Sequence, residues 1–151
     1  MTKFSISILV LIAAAFFFLY RQNSQAPTLG VNGGKLAPLG AEPNCVSTQT
    51  EIAAKKVDPL PMKDSLEKTI DAIRAAINSY ANGTVTIELE SANYVYAQFK
   101  TPTMKWVDDV EFWVDETVKI VHFRSSSRAG YSDKGLNRQR YNKLAEIYKA
   151  S

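Results

Sequence analysis

The chain has 151 residues, a formal net charge of +3 and one cysteine, Cys45. With a hydrophobic N-terminus set aside there is room for a single core of about 100 residues, and a lone cysteine excludes an intramolecular disulfide or a cysteine-rich zinc site. Only Lys3 of the 18 basic side chains lies in the first 20 residues, so the remainder stays close to neutral and no nucleic-acid partner is expected.

Residues 4–20, FSISILVLIAAAFFFLY, run unbroken with two serines as their polar members. As a helix the stretch spans about 26 Å, enough to cross a bilayer. The competing reading is a cleaved secretory signal, with Lys3 as its basic start and Ser24-Gln25-Ala26 as a small-x-small site. Pro27 directly after Ala26 argues against cleavage there, and no cysteine follows closely enough for a lipoprotein anchor. Residues 1–20 are therefore read as a membrane anchor or signal segment, with a retained anchor favoured. The domain behind it is expected outside the cytoplasm, in the periplasm if anchored, or secreted if cleaved.

Residues 21–42 are rich in Gly, Pro, Asn and Gln, a composition that reads as a flexible tether. The domain is expected to occupy residues 43–151. After a turn-rich piece at 57–62, Leu66, Ile70, Ile73, Ile77 and Tyr80 recur at helical spacing. Asp64 with Glu67 reads as its capping box and Asn82-Gly83 as its stop. Four strands follow. In the first two, Val85, Ile87 and Leu89, then Val95, Ala97 and Phe99, alternate with polar or tyrosine positions. The others are expected over 107–114 and 118–125. A last helix starts at Ser132 or Lys134 and runs to Tyr148, with Leu136, Leu144, Ile147 and Tyr148 near one stripe and Arg140 and Tyr141 at its edges. The pattern predicts a two-layer α+β domain, a four-stranded antiparallel meander with two main helices on one face.

Pro43-Asn-Cys-Val-Ser47, Asp108-Asp-Val-Glu-Phe112 and the run from Arg124 to Arg138, RSSSRAGYSDKGLNR, together resemble the domain-of-unknown-function family numbered 1499. The resemblance covers the chain from about Pro43 to its end. It implies small bacterial and plastid-lineage proteins, often with an N-terminal signal or membrane segment. It also implies that Cys45, Asp108, Asp109, Glu111, Arg124, Ser125, Ser127, Arg128, Gly130, Asp133, Gly135, Asn137 and Arg138 are the family's pattern positions. It brings no mechanism with it.

If the last hairpin turns over residues 115–117, Val114 faces Val118, Phe112 faces Ile120, Val110 faces His122 and Asp108 faces Arg124. Apolar then meets apolar and charge meets charge, which predicts an Asp108–Arg124 ion pair. Asp109, Glu111 and Asp133 are read as further structural ion-pair carboxylates. The ligand-binding expectation is an anion pocket: Arg124, Arg128 and Arg138 would outnumber their carboxylates, while Ser125, Ser127, Asn137 and the backbone near Gly130 add donors beside a helix start. A carboxylate, a phosphate or a lipid headgroup suits such a site, and a protein partner is the other reading. A Ca²⁺ or Mg²⁺ site on Asp108, Asp109, Glu111 and Asp133 is disfavoured, because successive strand residues point to opposite faces. No cofactor or metal is expected.

The small-enzyme alternative uses Cys45 with His122, or the acidic strand. Against it, His122 reads as a packed core histidine and Cys45 as a small buried hydrophobe. Trp106, Trp113, Tyr94, Tyr96 and Tyr131 either mark a partner surface or are covered by other parts of the chain. The reading is thus a non-catalytic, membrane-tethered domain that binds an acidic ligand or a protein partner, with a purely structural envelope subunit as a third option.

Overall fold

The computed structural model describes residues 3–80 and 83–151. Asn82, half of the expected helix stop, and the side chain of Leu89 lie outside the described residues. Helix α1 (Lys3–Ser24) carries the apolar stretch. Then come strand β1 (Cys45–Ser47), a 3-10 turn (Ala53–Lys55), strand β2 (Leu60–Pro61), helix α2 (Leu66–Ser79), strands β3 (Thr84–Ser91), β4 (Tyr94–Lys100), β5 (Val107–Asp115) and β6 (Ile120–Ser127), and helix α3 (Leu136–Ala150).

The class is α+β, as the alternation implied, but the sheet has six strands rather than four. Its order is β1-β6-β5-β4-β3, with β2 also pairing β6, and all ladders are antiparallel. The expected meander is its centre. The two additions are three and two residues long, too short to display an alternating pattern. They cover the edge of β6 that would otherwise expose unpaired backbone groups.

Alternation decides the two faces. Val95, Ala97 and Phe99 on β4, Val110, Phe112 and Val114 on β5, and Val121 and Phe123 on β6 are all buried and form the core with α2 and α3. From α2 come Ile70, Ile73 and Ile77; from α3 come Tyr141, Leu144 and Tyr148. Each large side chain so buried contributes about 1.5–3 kcal/mol. The opposite face carries Tyr94, Tyr96, Asp109, Glu111, Trp113, His122 and Arg124.

Local details differ from the expectation in two places. Ser65, not Asp64, caps α2: its hydroxyl accepts from the Lys68 amide at 3.2 Å. Asp64 instead pairs with Lys68 at 3.0 Å on the surface. Gly83 does sit at the turn into β3, with φ of +89°, and a Cβ there would lie 2.1 Å from the Lys100 carbonyl oxygen, so only glycine fits. The second difference is the β5–β6 register. Phe112 lies opposite Phe123 and Val114 opposite Val121, three residues away from the expected pairing.

The reason is the turn. It holds four residues, 116–119; the Asp115 carboxylate accepts from the Thr117 amide at 2.9 Å, and Lys119 takes the left-handed conformation, φ 59°, that no glycine is present to supply. An odd shift exchanges the faces of a strand. His122 and Arg124 therefore leave the core side, and Val121, Phe123 and Ser125 enter it.

Residues 28–42, expected as a free tether, lie along the second face as a strap. The Gly30 amide donates to Glu111 at 2.9 Å, and the Leu36 amide donates to Gln49 at 2.8 Å. Leu36 is buried. A Cβ at Gly34 would stand 3.8 Å from the Trp113 ring, and Lys55 donates to the carbonyls of Gly40 and Ala41 at 2.6 and 3.0 Å. A composition too polar to build a core can still order itself on one already made.

Candidate functional site at the exit of the apolar helix

Three consecutive features of β5 organise the site. Asp108 shares the core face with Val110 and Phe112, while Asp109 and Glu111 project to the other side, as strand geometry requires. All three carboxylates are buried. Buried charge is tolerable only when paired, and each finds an arginine.

Glu111 is opposite Arg124 in the ladder. Its Oε2 accepts from Arg124 Nη1 at 3.2 Å, and its Oε1 accepts from the Tyr94 hydroxyl at 2.8 Å and from the Gly30 amide. Arg124 Nη2 reaches the Pro38 carbonyl at 3.3 Å, which ties the strap to the same pair. Asp109 receives a fork-to-fork pair from Arg128, Nε to Oδ2 and Nη2 to Oδ1, both 2.8 Å, the geometry that suits a planar guanidinium. The Tyr96 hydroxyl donates to Asp109 at 2.7 Å and accepts from Arg128 at 3.1 Å. Asp108 takes Arg140 Nη2 at 2.6 Å from across the core, with the guanidinium 4.9 Å from the Phe99 ring centroid.

These pairings correct the expected Asp108–Arg124 contact: the register puts the two on opposite faces. They also remove the expected surplus of arginine over carboxylate. Arg138 is no part of the cluster; its Nη2 donates to the carbonyls of Ala54 and Lys56 at 2.9 and 3.0 Å. Asp133, expected in an ion pair, instead caps α3. Its Oδ2 accepts from the Asn137 amide at 2.7 Å and its Oδ1 from the Gly135 amide at 2.9 Å. The positive end of that helix is thereby occupied by a carboxylate of the chain itself.

Asn137 is the hub beneath the loop. Its Nδ2 donates to the Asn44 carbonyl at 2.8 Å and to Ser127 at 3.0 Å, and its Oδ1 accepts from Arg140 at 2.7 Å and from the Ser125 hydroxyl. Asn44 in turn donates to the Gly130 carbonyl at 2.7 Å. Ser125, Ser127 and Asn137 are thus brought together, as internal fasteners of the 128–131 loop.

Cys45 and His122 are not. Cys45 lies opposite Ser126 on β6, four residues from His122, about 13 Å along a strand. The Cys45 thiol is buried and points to the Glu42 carbonyl at 3.3 Å. His122 stacks on Trp113, ring centroids 5.1 Å apart, and its Nδ1 shares a hydrogen bond with Thr48 at 3.1 Å. Burial lowers its pKa, partly offset by Asp115. Burial likewise raises the Tyr94 hydroxyl, helped by the Glu111 charge, and pushes Tyr96 up to about 12, helped by its hydrogen bond to Asp109. The Arg128 guanidinium is raised by its hydrogen bonds to Asp109. Both tyrosines therefore remain donors at any physiological pH.

The pattern of residues gave no warning of Asn23. From the last turn of α1 its Oδ1 accepts from the Val107 amide at 2.8 Å and its Nδ2 donates to the Lys105 carbonyl at 3.2 Å. Its own carbonyl meets Arg128 Nη1 at 3.5 Å. The apolar helix is thus fastened to the start of β5, beside the Arg128–Asp109 pair. Tyr94 and Tyr96 stand out in the sequence as aromatics, but their alternation on β4 places them diagonal to Glu111 and Asp109. Arg140 reads as an edge residue of its stripe; its spacing of three from Asn137 and four from Leu144 is the signal that places it with the polar hub.

Two hollows open where α1 meets the domain. One, of about 440 Å³, is lined by Leu19, Trp106, Asp108, Gly130, Asp133 and Leu136 among others. The second, of about 300 Å³, borders the same 128–131 loop and is lined by Leu19, Gln22, Glu42, Asn44, Ser126, Arg128 and Tyr131 among others. A larger hollow of about 710 Å³ lies between the strap and residues 47–52. It contains none of the charged cluster.

The family model for proteins of unknown function designated DUF1499 matches residues 35–147, most of the chain. The chain belongs to the DUF1499 family. No curated protein and no solved structure matches it. In this DUF1499 chain the match begins inside the strap, and it takes in Asp108, Asp109 and Glu111 and their three arginines. It stops short of Asn23 and α1.

Proposed function

We propose that this DUF1499 chain is a membrane-tethered, non-catalytic binding domain. It is held outside the cytoplasm by α1 and takes the anionic group of a small molecule or lipid headgroup in the polar hollow between Gln22, Ser126, Arg128 and Tyr131. The observation that carries the reading is the Asn23 fastening. Ile6–Ser24 is long and apolar enough to cross a bilayer, with mean hydropathy 1.6, and its last turn forms one wall of that hollow. Cleavage after Ala26 would remove Asn23 and strip the Val107 amide of its acceptor, which favours a retained anchor.

The donors left for a ligand are few and specific. Arg128 commits Nε and Nη2 to Asp109, but Nη1 has only the long contact to Asn23. Ser126 and Ser127 line the same space. A neutral ion pair with one outward N–H edge suits modest, exchangeable binding of a phosphate or carboxylate rather than tight capture. The non-catalytic part rests on the separation of Cys45 from His122 and on the arginine partners of all three carboxylates.

The test uses the full chain in nanodiscs, with inorganic phosphate and phosphatidylglycerol as probes read by native mass spectrometry. Tyr131 is 74 % exposed at the rim, so Tyr131→Glu leaves the fold intact and is expected to weaken retention of either probe about tenfold, near 1.4 kcal/mol. Cys45→Ser is expected to leave retention unchanged. Equal retention in Tyr131→Glu, or none in the parent chain, overturns the binding site.

A further inference from the structure

The fastening of α1 fixes more than a hollow, because it sets the height of the domain above any bilayer that α1 crosses. Leu19, near the end of the apolar stretch, lines both hollows. Two loops share that level. The 101–106 turn is pinned by the Thr101 amide on the Trp106 carbonyl and the Trp106 amide on the Thr101 hydroxyl, each 3.0 Å; it thrusts out Met104, 51 % exposed, next to Lys105. The 129–134 loop presents Tyr131 beside exposed Lys134. Lys105 and Lys134 both hold left-handed backbone, φ 56° and 53°, a conformation that is strained for a lysine.

We propose that these two loops rest in the headgroup layer, so that the domain lies against the membrane instead of swinging from it. The partner is an anionic phospholipid surface. Met104, Trp106 and Tyr131 supply the amphipathic and apolar groups that favour the lipid–water boundary, and Lys105, Lys134 and Arg21 supply cations for lipid phosphates. The inference rests on the retained-anchor part of the preceding reading; it shares Tyr131 with the rim of the ligand hollow but does not need that hollow to be filled.

Trp106 can report it. The chain has two tryptophans, and Trp113→Phe leaves Trp106 alone. The full-length Trp113→Phe chain is placed in nanodiscs of phosphatidylcholine with and without phosphatidylglycerol, each brominated close to the headgroup. The expected result is blue-shifted Trp106 emission that loses most of its intensity to the bromines, more so with phosphatidylglycerol. In the same background, Asn23→Ala releases the domain and Met104→Glu with Lys105→Glu repels it, so both restore several-fold brighter, solvent-like emission. Circular dichroism checks that each variant is folded. Unquenched emission from a chain that stays with the nanodisc overturns the inference and leaves the anchor standing. A chain that separates from the nanodisc overturns both. Quenching unchanged in Asn23→Ala and in the charge variant also overturns it.

Discussion

Arg140 crosses from α3 to Asp108 through an apolar layer, and the pair is buried at both ends, with side chains 3 % exposed. Removing one partner leaves a buried charge without its counter-ion. Arg140→Met is therefore expected to lower the unfolding free energy by about 3–5 kcal/mol, measured by denaturant titration. Adding Asp108→Leu should recover most of that loss, since well-packed apolar replacements of a buried pair are often neutral. If the double variant is as unstable as the single one, the pair is not the source of the effect. At this scale the sequence was half legible. Alternation puts Asp108 on the core face and Asp109 and Glu111 on the other, which is where the strand holds them. Their partners were not legible: assigning those depended on a turn of four residues in which a lysine takes the conformation usually left to glycine.

Single elements carried clearer signals where they were long. The spacing of Leu66, Ile70, Ile73 and Ile77 yielded α2, and the alternation of Val95, Ala97 and Phe99 yielded β4. β1, β2 and the strap escaped because their order comes from the sheet they lie on, not from their own composition. Such borrowed order can be removed. A chain that begins at Pro43, at the boundary the composition suggests, loses the Gly30 contact to Glu111, the Pro38 contact to Arg124 and buried Leu36. It is expected to be less stable by several kcal/mol than a chain beginning at Thr28, with the loss of one buried large side chain alone near 2 kcal/mol. Equal denaturation midpoints for the two chains would show that the strap adds nothing.

Acid response belongs to the whole molecule, because it compares the native with the unfolded state. Burial against Trp113 holds the His122 imidazole below its ordinary value near 6.5. Between the native and unfolded values, the unfolded chain takes up a proton that the native state refuses. Stability from this group is complete above about pH 6.5 and falls as the pH drops toward the lowered native value. His122→Gln should flatten that part of the profile, followed as unfolding midpoint against pH; an unchanged slope would assign the acid sensitivity elsewhere.

If α1 is retained in a bilayer, as proposed, copies of the domain share a two-dimensional space, where they meet side by side far more often than in solution. Among the described residues the longest edge strand open to such meetings is β3, which ends the strand order opposite β1 and β2. Its ladder is broken between Ile87 and Leu89, Glu88 and Glu90 face outward, and Glu90 is bound to Arg74 of α2. A kinked, acidic margin is a poor template for a neighbour's backbone, so crowding in the membrane plane can raise encounter frequency without stitching the molecules into a continuous ribbon.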